Sequence, residues 1–201
     1  MSRFLPILAI LVSLSCQKPG TVVGSGPPPP LRSDGLIPLK VGFEWIYRTT
    51  IYDTAGAAYQ IYFDTTRVYR DTVIEKVRWF DMEKILSTIR NLQTNQYDGV
   101  WRWSDGYTYR LFTTTLGDSV ILSSNADQGI TYTKLVALYT PVSTPAGNFN
   151  AYEYHYVVSR YGYTVNEYYI VPGIGLVKQE AYIWTTGHHV LTTDLVAAVL
   201  H

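Results

Sequence analysis

The sequence has little charge, a single cysteine and no excess of either sign. Sixteen Lys and Arg balance sixteen Asp and Glu in 201 residues. This balance excludes the basic surface that a nucleic-acid-binding protein needs. One cysteine can form neither an internal disulfide nor a cysteine-based zinc site. Hydrophobic residues nevertheless reach 47%, which is enough for a core and excludes global disorder.

Aromatic residues are abundant by contrast, with 18 Tyr and 5 Trp. Aromatic and β-branched side chains suit the pleated, half-buried surface of a sheet. The length is that of one domain, or of one domain with a tail. Composition therefore favours a single β domain.

Residues 1–15, MSRFLPILAILVSLS, have the layout of a secretory signal peptide. Arg3 precedes an apolar run over residues 4–12, and small residues follow it. The run is shorter than the ~20 residues that a membrane-spanning helix requires. We therefore predict export and removal of residues 1–15.

The only cysteine, Cys16, directly follows this segment, and the small residue Ser15 precedes it. The arrangement resembles the signal of bacterial lipoproteins, in which such a cysteine is lipidated and becomes the new N-terminus. The resemblance implies attachment to a membrane through Cys16. Gln17 in the next position implies the outer membrane, with the protein facing either the periplasm or the exterior. The alternative is ordinary cleavage, which leaves a soluble protein with a free thiol.

Residues 16–35 predict a tether, because they are rich in Pro, Gly and Ser and contain no aromatic residue. The four prolines at 27–30 favour extended polyproline II. A stalk that holds residues 36–201 away from a membrane is the first interpretation. A proline-rich recognition ligand is the second.

From residue 36 onward, large apolar residues alternate with polar ones between turn signals. In the first such segment Phe43, Trp45, Tyr47, Thr49 and Ile51 share one face. The predicted strands are 43–51, 58–69, 77–86, 99–103, 107–114, 119–123, 131–142, 149–159, 163–171, 175–184 and 190–199. We predict an all-β domain with little helix, an antiparallel meander that forms an open curved sheet or a barrel. Residues 83–91 are ambiguous, because their apolar residues also fit helical spacing.

Three segments carry a resemblance to a family: 37–47 (IPLKVGFEWIY), 144–149 (TPAGNF) and 169–178 (YIVPGIGLVK). They resemble the PLKVGxxWxY, TPAGxF and PGxGLVK motifs of uncharacterised lipoproteins of Bacteroidetes type. The resemblance implies a secreted, lipid-anchored β domain and no particular activity. Physically, Pro145 and Gly147 are typical of a turn, and the two glycines near Pro172 predict a reversal or a bulge.

Catalytic and metal motifs are sparse. The sequence has no GxSxG motif and only four histidines. Glu153 and His155 are two residues apart and therefore share a strand face. Such a pair can relay a proton or bind a metal, or it can be a polar contact on a wet face. Asp81 and Glu83 also share a face, but a carboxylate pair needs a cleft to hydrolyse glycosides. We predict no enzyme activity, no cofactor and no metal site.

Tyrosines and tryptophans are the richest signal for binding. Tyr152, Tyr154 and Tyr156 share one face of a predicted strand, and Trp101 and Trp103 share a face of another. Such rows pack across strands, or they line a groove for a glycan, a lipid or a partner protein. The sequence therefore predicts a lipid-anchored outer-membrane protein whose non-catalytic β domain binds or scaffolds. An envelope hydrolase that uses Glu153 and His155, or a carboxylate pair, is the alternative.

Overall fold

The computed structural model describes residues 35–84, 91–104, 106–125, 129–160, 162–183 and 186–201. These residues form twelve β-strands and contain no helix. The strands are β1 Glu44–Tyr52, β2 Ala58–Ile74, β3 Val77–Lys84, β4 Asn91–Gln96, β5 Gly99–Ser104, β6 Tyr107–Thr113, β7 Ser119–Asn125, β8 Gly129–Thr144, β9 Gly147–Val158, β10 Tyr163–Val171, β11 Gly175–Ile183 and β12 His188–Val199. The predicted signal peptide, Cys16 and almost all of the predicted tether lie outside the described residues.

All twelve strands belong to one antiparallel sheet in the order β6-β5-β4-β3-β2-β1-β12-β11-β10-β9-β8-β7. Each strand pairs with its neighbours in sequence, except that β1 pairs with β12 and β6 does not pair with β7. The first and last strands therefore meet in the middle of the sheet. The prediction of an all-β antiparallel meander is confirmed.

The connection between β6 and β7 forces this sheet to curl. A flat sheet of twelve strands would hold its two edge strands roughly 50 Å apart, at about 4.8 Å per step. Residues 114–118 are the whole connection between those edges, and their six Cα steps reach about 22 Å at most. The sheet consequently wraps into a nearly closed barrel shape, with β6 and β7 facing each other across a seam.

Side chains, rather than a backbone ladder, hold this seam in the described strands. The Thr133 hydroxyl on β8 donates to the carbonyl oxygen of Leu111 on β6, at 2.5 Å. The Tyr154 hydroxyl on β9 donates to the carbonyl oxygen of Thr113, at 2.6 Å. These bonds reach the main chain of β6 from the far edge of the sheet.

Arg110 adds charge to the same seam. Its guanidinium lies 3.1 Å from the carboxylate of Asp98 and 3.1 Å from that of Asp118. Asp98 precedes β5, whereas Asp118 immediately precedes β7. One arginine on β6 thus links the two ends of the wrapped sheet, and the Thr113 hydroxyl also donates to Asp118.

The segment 37–47 (IPLKVGFEWIY) packs on the segment 169–178 (YIVPGIGLVK). The Trp45 indole N–H donates to the carbonyl oxygen of Ile174 at 2.6 Å, and the Tyr47 hydroxyl donates to that of Leu176 at 3.0 Å. A Cβ at Gly175 would lie 3.4 Å from the Trp45 indole nitrogen, and the φ of Gly175 is +98°. Glycine is favoured there because its backbone conformation is left-handed and the tryptophan packs directly against it.

The turn in TPAGNF docks on β12. Gly147 adopts the positive φ expected of it, at +139°. The backbone N–H of Ala146 donates to the carbonyl oxygen of Leu195 at 3.1 Å. This turn between β8 and β9 therefore packs against a strand that is distant in the sequence.

The structure corrects one stretch of the sequence interpretation. Glu83 belongs to β3 and Asn91 begins β4, so both ends of the ambiguous segment 83–91 are strand; residues 85–90, where the sequence leaves a helical turn open, lie outside the described residues. The strand β4, of sequence NLQTNQ, was not predicted. Two of its polar residues, Asn91 and Gln93, line the cavity described below. In the described part of the chain, no helix has the length and apolar character to cross a membrane.

We expect Tyr154→Phe to lower the free energy of unfolding by about 1–2 kcal/mol. The substitution keeps the buried ring but removes the donor to the Thr113 carbonyl, which then remains unsatisfied. Urea denaturation measures the difference, and Tyr59→Phe is the matched control because Tyr59 is 78% exposed. Equal stability of Tyr154→Phe and wild type would show that this bond does not hold the seam.

Candidate ligand cavity

The inner face of the wrapped sheet lines a partly open cavity of about 560 Å³. This volume lies in the range of small-molecule sites, roughly 300–1,000 Å³. Its apolar and aromatic lining residues are Ile37, Trp45, Tyr47, Met82, Leu111, Phe112, Tyr168, Ile170 and Leu176. Its polar lining residues are Thr66, Asn91, Gln93, Arg102, Gln179 and Thr193.

Strand alternation places these side chains on one face. Trp45 and Tyr47 are two apart on β1, Asn91 and Gln93 are two apart on β4, and residues two apart on a strand share a face. Cross-strand pairing extends this face, because Gln93 lies opposite Arg102. The cavity is thus the inner face of the sheet, built from residues far apart in the sequence.

One wall of the cavity is aromatic. The Phe112 ring lies 5.5 Å from the Tyr168 ring and 4.9 Å from the Tyr154 ring, both edge to face. Burial raises the pKa of Tyr168 to about 12, and it also raises the pKa of Tyr47 well above its usual value. Both phenols therefore stay neutral donors at physiological pH.

Polar residues of β4 and β5 line another part of the cavity, and they are incompletely satisfied. Three buried atoms there have no hydrogen-bond partner: Asn91 Oδ1, Gln93 Oε1 and Arg102 Nε. Buried polar groups usually have a partner, and an unmade bond costs about 1–3 kcal/mol. Two acceptors and one cationic donor beside the cavity therefore lack partners within the described protein.

The sequence-predicted tyrosines lie on the inner face of β9. Tyr152, Tyr154 and Tyr156 are opposite Ile170, Tyr168 and Asn166 on β10. Tyr154 is fully buried with its hydroxyl engaged at the seam. None of the three is a described lining residue of the cavity, and a binding role for them stays a prediction.

The predicted tryptophans lie on the outer face of the sheet. Trp101 and Trp103 are opposite Thr94 and Leu92 on β4, so they point away from the cavity that Gln93 lines. The Trp101 indole N–H donates to Asp98 at 2.8 Å. Trp103 lines a second depression of about 470 Å³, with Asp81 and Arg70 among its neighbours. The structure therefore does not bring the five predicted aromatic residues together.

Glu153 and His155 lie side by side on the outer face. His155 Nε2 is 2.8 Å from Glu153 Oε1 and 3.9 Å from Glu167 Oε1. The Thr140 hydroxyl donates to the second oxygen of Glu153 at 2.6 Å. Neither Glu153 nor His155 lines the cavity or the second depression. Over the described ranges, no group of three or more His, Cys, Asp and Glu side chains is arranged to hold a metal ion.

Glu167 and Glu180 extend this cluster towards β11 and β12. The Tyr182 hydroxyl lies 3.2 Å from Glu167 and 2.9 Å from Glu180, and Lys178 lies 2.6 Å from Glu180. Burial by itself raises the pKa of Glu180, but the hydrogen bonds from Lys178 and Tyr182 outweigh it and lower the pKa. The cluster is thus a cross-strand polar network in which every carboxylate named here has a partner.

The carboxylates on β3 are likewise paired. Asp81 lies 3.1 Å from Arg70, and Glu83 lies 3.0 Å from Arg67. Both arginines are on the neighbouring strand β2. The interleaving of acidic and basic residues in the sequence therefore corresponds to cross-strand ion pairs.

The polar residues that line the cavity are not among the site residues predicted from the sequence. Arg102 stands between Trp101 and Trp103, so its side chain must lie on the face opposite to theirs. Asn91 ends the segment 83–91, whose apolar residues also fit helical spacing, and Gln93 follows in a stretch where no strand was predicted. The alternation of Arg102 with Trp101 and Trp103 was a sequence signal that the arginine and the tryptophans lie on opposite faces of the strand. Only the pairing of β5 with β4 shows that the face of Arg102 is the one that lines the cavity.

Comparison with protein families and with curated proteins finds no match. Among solved structures, a protein of Bacteroides fragilis, described as a candidate exported protein with a YmcC-like fold, superposes with a TM-score of 0.42 at 13% identity. The match covers 82% of this chain and 99% of that one. A candidate lipoprotein of Parabacteroides distasonis gives a TM-score of 0.44 at 13% identity, over 82% of this chain and 98% of that one. At this identity, no residue role passes from either protein to this chain.

We expect Tyr168→Phe to weaken the loss of stability at alkaline pH. Because burial raises the pKa of Tyr168 to about 12, its contribution is complete below a pH of about 10 and is lost as the pH rises towards 12. Between those values the free energy of unfolding of wild type should fall more steeply than that of the variant, by up to about 1.4 kcal/mol per pH unit. Urea denaturation at a series of pH values measures both slopes.

Tyr97→Phe is the control for this measurement, because Tyr97 is 91% exposed. It should keep the wild-type slope. If Tyr168→Phe also kept that slope, the cavity wall would be accessible to water and hydroxide in the folded protein.

Proposed function

We propose that this protein is a non-catalytic binding protein of the bacterial cell envelope, which holds a small amphipathic molecule inside its wrapped sheet. The observation that carries the proposal is the cavity of about 560 Å³, with an aromatic and aliphatic wall and a polar one. Such a lining suits a ligand that has an apolar body and a polar head.

The energetics favour a lipid-like ligand over a sugar. Each buried methylene contributes about 0.8 kcal/mol, so ten contribute roughly 8 kcal/mol before the cost of association. Leu111, Phe112 and Leu176 line the cavity with part of their surface exposed, and they offer the apolar contact that such a chain requires. A glycan would instead need many more hydrogen-bonding groups than this wall presents.

The envelope location rests on the N-terminal sequence. The apolar segment ending before Cys16 supports export, and Cys16 supports lipid attachment. In this proposal, residues 16–35 hold the folded domain away from an outer membrane. A carrier or a scaffold on such a tether can receive a ligand from, or pass it to, the nearby lipid surface.

The outer-face cluster supports a structural role for Glu153 and His155 in this proposal. Their partners Thr140 and Glu167 belong to the neighbouring strands β8 and β10. The contacts therefore tie three strands together on a face that the cavity does not reach. A hydrolase built on this pair would need a substrate cleft beside it, and neither described depression provides one.

We expect Leu111→Trp to weaken binding of the neutral apolar probe N-phenyl-1-naphthylamine. Leu111 lines the cavity, so a larger side chain there fills the space that the probe would occupy. Probe fluorescence should saturate with wild type, and its affinity should fall at least about tenfold in the variant, a loss of about 1.4 kcal/mol or more.

Leu116→Trp is the matched control, because Leu116 is 54% exposed outside the cavity. It should bind the probe as wild type does. Absence of saturable binding to wild type, or equal binding to Leu111→Trp, would refute the cavity as a ligand site.

We expect an alkyne-labelled fatty acid to mark the wild-type chain in bacteria and not the Cys16→Ala variant. Lipidation needs the thiol of the only cysteine in the chain. Cell fractionation should show the wild type with the outer membrane and the variant released from it. A label that persisted in Cys16→Ala would remove the basis for the proposed anchor.

A further inference from the structure

We infer that the ligand of the cavity carries a carboxylate head group, which the guanidinium of Arg102 binds. The inference rests on the proposed function, since it specifies the chemistry of the same site. It starts from the charge of the cavity: among the described lining residues Arg102 is the single charged one, and no Asp or Glu lines the space.

Arg102 differs from the other arginines of the sheet in lacking a carboxylate. Five described arginines form ion pairs with Asp or Glu: Arg48, Arg67, Arg70, Arg78 and Arg110. No described carboxylate lies within ion-pair distance of Arg102, and its Nε is buried with no hydrogen-bond partner. Arg102 as a whole is half-buried, and withdrawing a charge from water is costly unless the charge is paired. The missing partner is therefore expected to come from a ligand.

The surroundings of Arg102 define a head-group end. Gln93 lies directly opposite it on β4, and Gln93 Oε1 and Asn91 Oδ1 are buried acceptors with no donor. An anionic group can pair with the guanidinium, while a hydroxyl or amide N–H beside it can donate to these oxygens. Tyr168 and Leu176 are only half-buried, line the cavity on β10 and β11, distant from β4 and β5, and would meet the apolar body of the same ligand.

The charge count favours a carboxylate over a phosphate. A guanidinium presents a planar fork that matches a carboxylate with two parallel hydrogen bonds. One cation balances the single negative charge of a carboxylate. A phosphate monoester carries nearly two charges, and no described lysine lines the cavity to balance the second.

The test uses three amphiphiles of equal chain length: dodecanoate, dodecanol and dodecyl phosphate. Each amphiphile is titrated into the full chain loaded with N-phenyl-1-naphthylamine, and the loss of probe fluorescence gives the affinity of that amphiphile. We expect wild type to bind dodecanoate at least about tenfold more tightly than dodecanol, and also more tightly than dodecyl phosphate. We expect Arg102→Gln to bind dodecanoate and dodecanol equally, with its affinity for dodecanol unchanged.

Arg78→Gln is the matched control, since Arg78 is an exposed arginine on β3. It should keep the wild-type preference for dodecanoate. Arg102→Lys keeps the positive charge but loses the two parallel N–H donors of the guanidinium, so it should retain only part of the preference for dodecanoate over dodecanol. This second variant, and the comparison of ligands on wild type alone, keep the test valid if Arg102→Gln does not fold.

The outcomes separate the two proposals. If wild type binds neither the neutral probe nor any amphiphile, the proposed function fails. If dodecanol and dodecanoate bind wild type equally well, the cavity is a ligand site but the carboxylate is refuted. Tighter binding of dodecyl phosphate than of dodecanoate would also overturn the inference, in favour of a phosphate head group.

Discussion

Closure of the sheet between β6 and β7 is the constraint on which the rest of this structure depends. The two edge strands are adjacent in the sequence but stand at opposite ends of a twelve-stranded sheet. A short connection makes them meet, and hydrogen bonds from Thr133 and Tyr154 to the main chain of β6 hold them there. Because these bonds come from side chains, closure does not need the two edges to share a backbone register. Exposed edge strands, which otherwise invite pairing with other chains, face each other instead.

An inside and an outside follow from this closure. Alternation along each strand sends one set of side chains to a shared interior and the other set to solvent. The outer set forms cross-strand networks such as that of Glu153, His155 and Glu167, in which polar side chains contact one another. The inner set packs around Trp45, whose indole N–H donates to the carbonyl oxygen of Ile174. It leaves a cavity to which β4 and β5 contribute polar lining residues. The same alternation thus produces both a stable shell and a potential binding site.

The polar residues of the cavity lower the stability of the empty domain, and a ligand would offset that cost. A core optimised for stability alone would place apolar residues at Gln93 and Arg102, because unsatisfied buried polar atoms are costly. Their presence is explained if a ligand supplies the missing partners. A bound ligand that contacts strands on both sides of these polar residues would then stabilise the domain, because a ligand that binds only the folded state lowers its free energy relative to the unfolded state.

The sequence by itself determined the β class, most strands and the shared face of Trp45 and Tyr47, because these features follow from local alternation and turn residues. It also determined the expectation of export and of a lipid at Cys16, which depends on linear order alone. Only the tertiary structure decided that Tyr154 closes the seam, that Trp101 and Trp103 face outward, and that Arg102 faces a cavity. Alternation shows which residues share a face, but the side on which that face lies depends on the curl of the whole sheet. That curl arises from contacts between strands far apart in the chain, which no local pattern records.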